Sequence, residues 1–519
     1  MKKAFKLIFI YLGVILLALV ATVVFCAGFL FFYREGNIFG IQYISVDNVI
    51  YARESEDMSD LKTIEVHSDY FKVSVGVNSS VDNLIGAMNN EVFGFARKAE
   101  AHTGFSLEYY EDTKTAVFES SQPKGWLNRK KAFIQIAIPD ELLDNDINLV
   151  VKTSKGDIYI GGSELMSLNS LTIETSKGDA TLSNVKLSNS ITTIIGSGSV
   201  VIDEKCKTSA NINAYIDLGS GTVNFAKINV EEFSFGVIEV KSIKKGKIGI
   251  VKTDRLITNG NINGGGRIEV GDVGRVDFES LDTDIAIKNI HGVADSNSAF
   301  SIIKINGNGD VFVDTAKSHL EVNGYNGDIN INILEKTVKL KSNQGDIRVG
   351  SAIYAVGATT NYGNIDVTFV ESDAFYTPEN GIKSIVATTA NGHISVKGLQ
   401  YGLINATDKG RVSLEYDKIV GENVINANSG VVNVIVPCPN KDSVENEYAF
   451  NLIVKSDVNC DIKVGVVGEL GDLNPVDYSG SGTEEFSNIY NSASSTLNIL
   501  DVSSTTGRIK IRSMDLIGF

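Results

Sequence analysis

The stretch TSKGDIYIGG, Thr153–Gly162, is followed after one turn by LTIETSKGDATL, Leu171–Leu182, which repeats the letters TSKGD. In both copies the second and fourth residues after the shared glycine are apolar. This period-two alternation predicts a strand with one buried face. A short motif repeated at close spacing indicates a repeated structural unit.

The same unit recurs along most of the chain. An alternating stretch also precedes each glycine, as in Leu149, Val151 and Thr153, so one unit is a strand, a glycine corner and a second strand. Glycine is expected at the corner because it adopts backbone angles denied to other residues. TDIAI, from Thr283, is a degenerate copy without the glycine. The corner glycines are Gly156, Gly178, Gly198, Gly221, Gly246, Gly266, Gly309, Gly327, Gly345, Gly363, Gly392, Gly410, Gly430 and Gly507.

Even spacing favours a parallel β-helix over other repetitive folds. Gly309, Gly327, Gly345 and Gly363 follow one another at a constant interval, whereas hairpins in a propeller blade or a sandwich would give alternating intervals. We therefore predict an all-β parallel β-helix, or solenoid, of about 15 short coils. At ~4.8 Å per coil it would be a rod roughly 70 Å long, filled by its own apolar side chains and without an internal ligand cavity.

The composition fits a β-rich protein and restricts its partners. The chain has 49 Gly, 6 Pro and 43% hydrophobic residues. Its formal net charge of -16 argues against nucleic-acid binding, because phosphate recognition needs a cationic face.

The N-terminus carries an apolar segment, Leu7–Tyr33, without a charged residue. It exceeds the roughly 20 residues that a transmembrane helix needs. Lysines precede it, so the positive-inside rule predicts a cytoplasmic tail at 1–6, a single transmembrane helix at 7–33 and an extracytoplasmic remainder. A cleaved signal peptide would have a shorter apolar run, and a lipoprotein signal at Cys26 would need a small residue in place of Phe25.

The remainder divides into four predicted parts. Residues 43–145 lack the glycine repeat and form an N-terminal β-rich cap or module, because the open end of a solenoid must be covered. Residues 146–436 form the β-helix repeats, 437–500 an insertion or C-terminal cap, and 501–519 the final coil.

The chain has four cysteines. Cys26 lies in the predicted membrane segment, and Cys206 has no neighbouring cysteine in the sequence. Cys438 and Cys460 could form a disulfide in an oxidising compartment, or both could be buried thiols.

One set of side chains is a candidate metal site. Asp284, Asp310, Asp328 and Asp346 take the same outward position after the corner in consecutive coils, which predicts a ladder of carboxylates. Such oxygens suit a divalent cation. The alternative is that each aspartate accepts backbone N–H bonds at its turn.

Other chemistry is not indicated. We find no catalytic motif and no cofactor-binding motif, and the histidines do not have the spacing of metal ligands. These are His67, His102, His291, His319 and His393.

The strand AFIQIAIP, Ala132–Pro139, leads into INLVVKTSKGDIYI, Ile147–Ile160, and then into the train of glycine units. This arrangement resembles the bacterial putative-adhesin family, β-helical domains of unknown function in the cell envelope, over roughly residues 130–511. The resemblance implies an extracytoplasmic, adhesin-like protein without catalytic residues. Some members of the family are associated with envelope stress.

These observations predict a membrane-anchored protein with a structural or binding role at the cell envelope, and not an enzyme. Its partner would be a cell-wall or surface component or an envelope protein, bound by outward side chains or by 437–500. The alternative is an envelope-stress sensor that acts through a membrane partner. A polysaccharide-active enzyme is a third hypothesis, and it would need carboxylates joined by Arg or Lys in a cleft.

Overall fold

A computed structural model describes residues 11–26, 41–53, 58–97, 104–121, 125–129, 133–144, 146–225, 228, 231–292, 300–370, 382–438, 448–465, 476–490 and 497–514. The chain divides into two compact units, Met1–Ser209 and Ala210–Phe519.

Two helices are described, α1 at residues 11–26 and α2 at Asp140–Leu143. The large apolar side chains of α1 are exposed; Leu17, for example, is 75% exposed. Among the described residues, no helix has both the length and the apolar character needed to cross a membrane. The predicted tail at 1–6 and residues 7–10 and 27–33 of the predicted span lie outside the described residues.

The strands of the first unit are β1 Ile41–Arg53, β2 Thr63–Ser68, β3 Lys72–Val77, β4 Ile85–Arg97, β5 Gly104–Tyr110, β6 Thr115–Ser121, β7 Gly125–Arg129, β8 Phe133–Ile138, β9 Asn148–Thr153, β10 Ile158–Lys177, β11 Ala180–Ser197, β12 Ser199–Ile202 and β13 Lys207–Thr208.

Strands upstream of the first glycine repeat belong to the same parallel stack as the repeats. Thr63 of β2 pairs with Thr115 of β6 on one side and with Asn148 of β9 on the other, and both pairings are parallel. In the same way β3 lies between β8 and β10. Antiparallel strands follow, with β5 beside β6, and β4 beside β8, β7 and β1. The spatial order of these coils therefore differs from their order in the sequence.

The strands of the second unit are β14 Ile212–Leu218, β15 Thr222–Phe225, β16 Phe235–Ile243, β17 Lys247–Thr258, β18 Arg267–Ser280, β19 Asp284–Ile290, β20 Ser301–Ile305, β21 Val311–Ala316, β22 Leu320–Gly324, β23 Ile329–Leu334, β24 Val338–Lys341, β25 Ile347–Ala352, β26 Val356–Thr360, β27 Ile365–Phe369, β28 Ser384–Thr389, β29 His393–Leu399, β30 Tyr401–Ala406, β31 Arg411–Tyr416, β32 Glu422–Ala427, β33 Val432–Val436, β34 Phe450–Val464, β35 Val476–Ile489, β36 Ile499–Ser504 and β37 Ile509–Ser513.

Each coil of the second unit contributes one strand before its corner and one after it. Strands of each kind pair in parallel with the equivalent strands of the neighbouring coils, as in the series Ile329, Ile347 and Ile365. These isoleucines are fully buried, as the alternation predicts. The predicted all-β fold of stacked parallel strands is thereby confirmed. The degenerate copy is also a coil, because β19 pairs in parallel with β18 and β21.

The structure corrects the reason for the corner glycine. Among the described corner glycines, Gly198 alone has a positive φ, at 130°. At most of the others, neighbouring corners stack too closely for a side chain. A Cβ on Gly345 would overlap the carbonyl oxygen of Gly327. The same contact with the preceding corner glycine recurs at Gly178, Gly198, Gly327, Gly363, Gly392, Gly430 and Gly507.

The described part of 437–500 also adds to the parallel stack. β34 pairs in parallel with both strands of the coil that follows it, Asn451 with Ile499 of β36 and Asp461 with Lys510 of β37. On its other side β34 pairs antiparallel with β35. The predicted domain boundaries themselves stay predictions.

Candidate functional site

A polar cleft of about 540 Å³ opens on the first unit. Five neighbouring strands line it, in the order β5, β6, β2, β9 and β10. Their register places four charged or titratable side chains in one row across the sheet: Glu119, His67, Lys152 and Glu174. Each of the four parallel strands β6, β2, β9 and β10 contributes one member, because equivalent positions on parallel strands lie side by side.

The row in this cleft has a carboxylate at each end and basic groups between them, and it is loosely paired. His67 Nε2 lies 2.9 Å from Glu65 Oε2, and His67 Nδ1 lies 3.9 Å from Glu119 Oε1. Lys152 Nζ is 3.9 Å from Glu174 Oε2. Exposed ion pairs at such distances contribute little to stability. Each of these groups can therefore leave its partner in the protein and pair with a charged group of a ligand.

A second cleft, of about 470 Å³, opens on the second unit. Its five strands are β35, β34, β36, β32 and β30. The corresponding row across the sheet is Lys455, Ser503, Asn426 and Asn405.

Neutral hydrogen-bonding groups dominate the second cleft. Ser503 Oγ donates to Asn426 Oδ1 at 2.6 Å, and Asn428 Nδ2 donates to the carbonyl oxygen of Thr407 at 3.2 Å. The ammonium of Lys455 lies 3.0 Å from the carboxylate of Asp501. The cleft thus offers amides and hydroxyls, which both donate and accept.

The two clefts share one architecture, each inside its own unit. In both, three or more parallel strands end beside an antiparallel hairpin that forms the wall. The wall residue Ser106 of β5 lies opposite Glu119, and Thr483 of β35 lies opposite Lys455. Sequence reasoning missed both clefts, because the members of each row are far apart in the chain and no local motif joins them.

The aspartate ladder is present, and its carboxylates accept backbone hydrogen bonds. The N–H of Asp310 donates to Asp284 Oδ1 at 3.0 Å, that of Asp328 to Asp310 at 2.9 Å, and that of Asp346 to Asp328 at 2.8 Å. The series continues with Asn364, whose N–H donates to Asp346 at 2.8 Å. In the part of the chain that is described, no group of three or more His, Cys, Asp or Glu residues is arranged to hold a metal ion.

The structure does not join Cys438 to Cys460. Cys438 Sγ donates to the carbonyl oxygen of Gly465 at 3.3 Å. Cys460 is buried, and burial raises the pKa of its thiol. Burial likewise raises the pKa of the Cys206 thiol to about 12. Such thiols are protonated and unreactive at neutral pH.

Stacked parallel coils with a glycine at most corners define this protein as a β-solenoid. The chain belongs to the Toastrack DUF4097 family, which it matches over residues 64–378. A solved structure described as a "putative cell adhesion protein" from Clostridium sporogenes ATCC 15579 is 15% identical to it. That match covers 47% of this chain and 99% of the other, with a TM-score of 0.20, which is too low to bear on function. No curated protein matches this chain significantly.

Proposed function

We propose that this protein is a membrane-anchored, extracytoplasmic binding protein of the cell envelope, with an adhesin-like role. The stacked coils of each unit would be the support, and the two hairpin clefts, one in each unit, would be the contact surfaces. Its partner would be a cell-wall or surface component or an envelope protein. We propose a binding role and not a catalytic one.

The observation that carries the proposal is the duplicated cleft. The same five-strand arrangement occurs in both units, yet the rows carry different side chains, Glu119 and His67 in one and Asn426 and Asn405 in the other. Core packing does not require these outward side chains. Two contact sites on one chain also raise the avidity for a multivalent surface.

The apolar surface of α1 supports the anchoring part of the proposal. Leu12, Leu16 and Leu17 are each more than half exposed, so this helix presents a large apolar surface. Burial of such side chains in lipid is favourable. We expect the full chain to stay in the membrane fraction after an alkaline wash, and a chain lacking 1–33 to be released.

Binding is tested with the full chain reconstituted into phosphatidylcholine vesicles. We expect these vesicles to attach to intact cells or isolated wall fragments, and attachment to fall at least tenfold when both clefts are altered by His67→Ala, Lys152→Ala, Asn405→Ala and Asn426→Ala. The control is Asn332→Ala with Asn433→Ala, two exposed asparagines outside the clefts. Attachment that is absent, or equal in all variants, would contradict the proposal.

A further inference from the structure

The cleft of the second unit is lined mainly by uncharged polar side chains. Asn405, Thr407, Asn426, Asn428 and Thr483 line it, and all five are exposed polar residues without charge. Because each amide and hydroxyl both donates and accepts hydrogen bonds, the cleft suits a ligand whose groups also do both.

Charge in this cleft is largely neutralised from within. Lys455 is held by the carboxylate of Asp501 at 3.0 Å, and Asp457 adds a further negative charge to the lining. An anionic polymer would have to displace Asp501 from Lys455 and approach Asp457.

A peptide is a poor match for the same cleft. The apolar residues in its lining are the small, buried Ala406 and Ala427, so it offers no pocket for a large apolar side chain. The central strands β32 and β36 are each paired on both sides, so they cannot accept an added peptide strand.

We infer that this cleft binds a neutral glycan, with the amides of Asn405 and Asn426 as the central contacts. The asparagines stand on adjacent parallel strands, which are about 4.8 Å apart. Successive hydroxyl groups of an extended sugar chain can therefore meet successive members of the row. The inference deepens the proposed binding role and rests on it, because it names the class of ligand for one of the two contact surfaces.

Calorimetry of the full chain in detergent micelles tests the inference. The probes are hexamers of β-1,4-linked glucose and N-acetylglucosamine, with a hexamer of galacturonic acid as the anionic comparison. We expect saturable binding of at least one neutral hexamer, with an affinity that changes less than twofold between low and high salt, because no charge pairing is involved.

Three variants locate the binding. Asn405→Ala with Asn426→Ala should weaken binding of the neutral hexamer at least tenfold, and Lys455→Met tests whether the anionic hexamer binds through the ammonium group. Asn332→Ala with Asn433→Ala is the matched control and should leave binding of the neutral hexamer unchanged. Circular dichroism melting checks that each variant is folded.

The inference is overturned if no neutral hexamer binds, if binding survives in the double cleft variant, or if the galacturonate hexamer binds more tightly and Lys455→Met abolishes that binding. Its failure is distinguishable from failure of the proposed function. Vesicles that still attach to cells through His67 and Lys152, without any affinity for the neutral hexamers, would retain the adhesin-like role and remove the glycan assignment.

Discussion

At the scale of single residues, the corner depends on close backbone contact. Most corner glycines are packed against a carbonyl oxygen of the neighbouring coil. At Gly345, Gly363, Gly392 and Gly507, a hydroxyl three residues earlier accepts a hydrogen bond from the N–H of the glycine. Ser342 Oγ accepts from the N–H of Gly345 at 2.9 Å and donates to the carbonyl oxygen of Gly327 at 3.2 Å. Thr360 and Thr389 make the same pair of bonds in their coils.

Replacing a corner glycine should therefore be costly. We expect Gly345→Ala to lower the free energy of unfolding by about 1–3 kcal/mol or more, because the new methyl group would force the stacked corners apart. Gly357→Ala is the control, since the nearest atom to its Cβ would be at an ordinary 3.6 Å. Denaturant unfolding of both variants measures the difference, and equal effects would contradict the close-stacking account.

The aspartate ladder should depend on its acceptor oxygen more than on its charge. We expect Asp328→Ala to lower stability by about 0.5–1.5 kcal/mol, because the N–H of Asp346 loses its acceptor. Asp328→Asn should be nearly neutral, since Asn364 accepts the N–H of His393 at 2.9 Å in the same way. Thermal melting with and without millimolar calcium completes the test, and a calcium-dependent rise lost in Asp328→Asn would favour a metal site instead.

At the scale of elements, the hairpin β34–β35 is attached to the last coil by an ion pair. The guanidinium of Arg512 in β37 donates to the carboxylate of Asp461 and, at 3.0 Å, to its carbonyl oxygen. Both side chains are largely buried, at 16% and 24% exposure. The hydrogen bond from Arg512 lowers the pKa of Asp461 below its usual value of 3.8.

This ion pair predicts a pH dependence. A lowered folded-state pKa contributes stability that is complete above the unfolded value and is lost as pH falls through the folded value. We expect Arg512→Met to cost about 1.5–3 kcal/mol at neutral pH, and the difference from the unaltered protein to shrink as pH falls below 3.8 and through the lowered folded-state pKa of Asp461. Arg348→Met, at a 61% exposed side chain, should cost less than about 0.5 kcal/mol. A difference for Arg512 that is constant with pH would refute the electrostatic account.

At the scale of each whole unit, we expect a destabilising substitution in one coil to affect the neighbouring coils most. In a solenoid a coil contacts mainly its neighbours, so a local defect weakens the adjacent coils first. Ile347 is fully buried between Ile329 and Ile365 in the stack.

Amide hydrogen exchange measures how far the destabilisation extends from the altered coil. Ile347→Ala should destabilise its coil by about 2–5 kcal/mol. We expect amides of β23 and β27 to exchange faster, and those of β31, several coils away, to change little. Tyr362→Ala, at an exposed side chain, is the control and should leave all three strands unchanged. Uniform acceleration across the unit would show that it unfolds as one cooperative block.

The sequence alone determined the coil, because its pattern is local. Alternation fixes which face of a strand is buried, and the even spacing from Gly309 to Gly363 fixes one coil as one repeat. Only the tertiary structure revealed that the corner glycines serve close stacking and not an unusual φ. That requirement comes from the neighbouring coil, which the local pattern does not display.

Only the tertiary structure decided which strands become neighbours out of sequence order. β2 lies between β6 and β9, and β36 lies between β32 and β34, and these insertions create both clefts. The alternation predicts that a strand has a buried face. It does not predict which strand will be its neighbour, because backbone hydrogen bonds do not depend on which side chains occupy the outward positions. His67 and Lys152 therefore meet through a pairing that neither residue's surroundings in the sequence could specify.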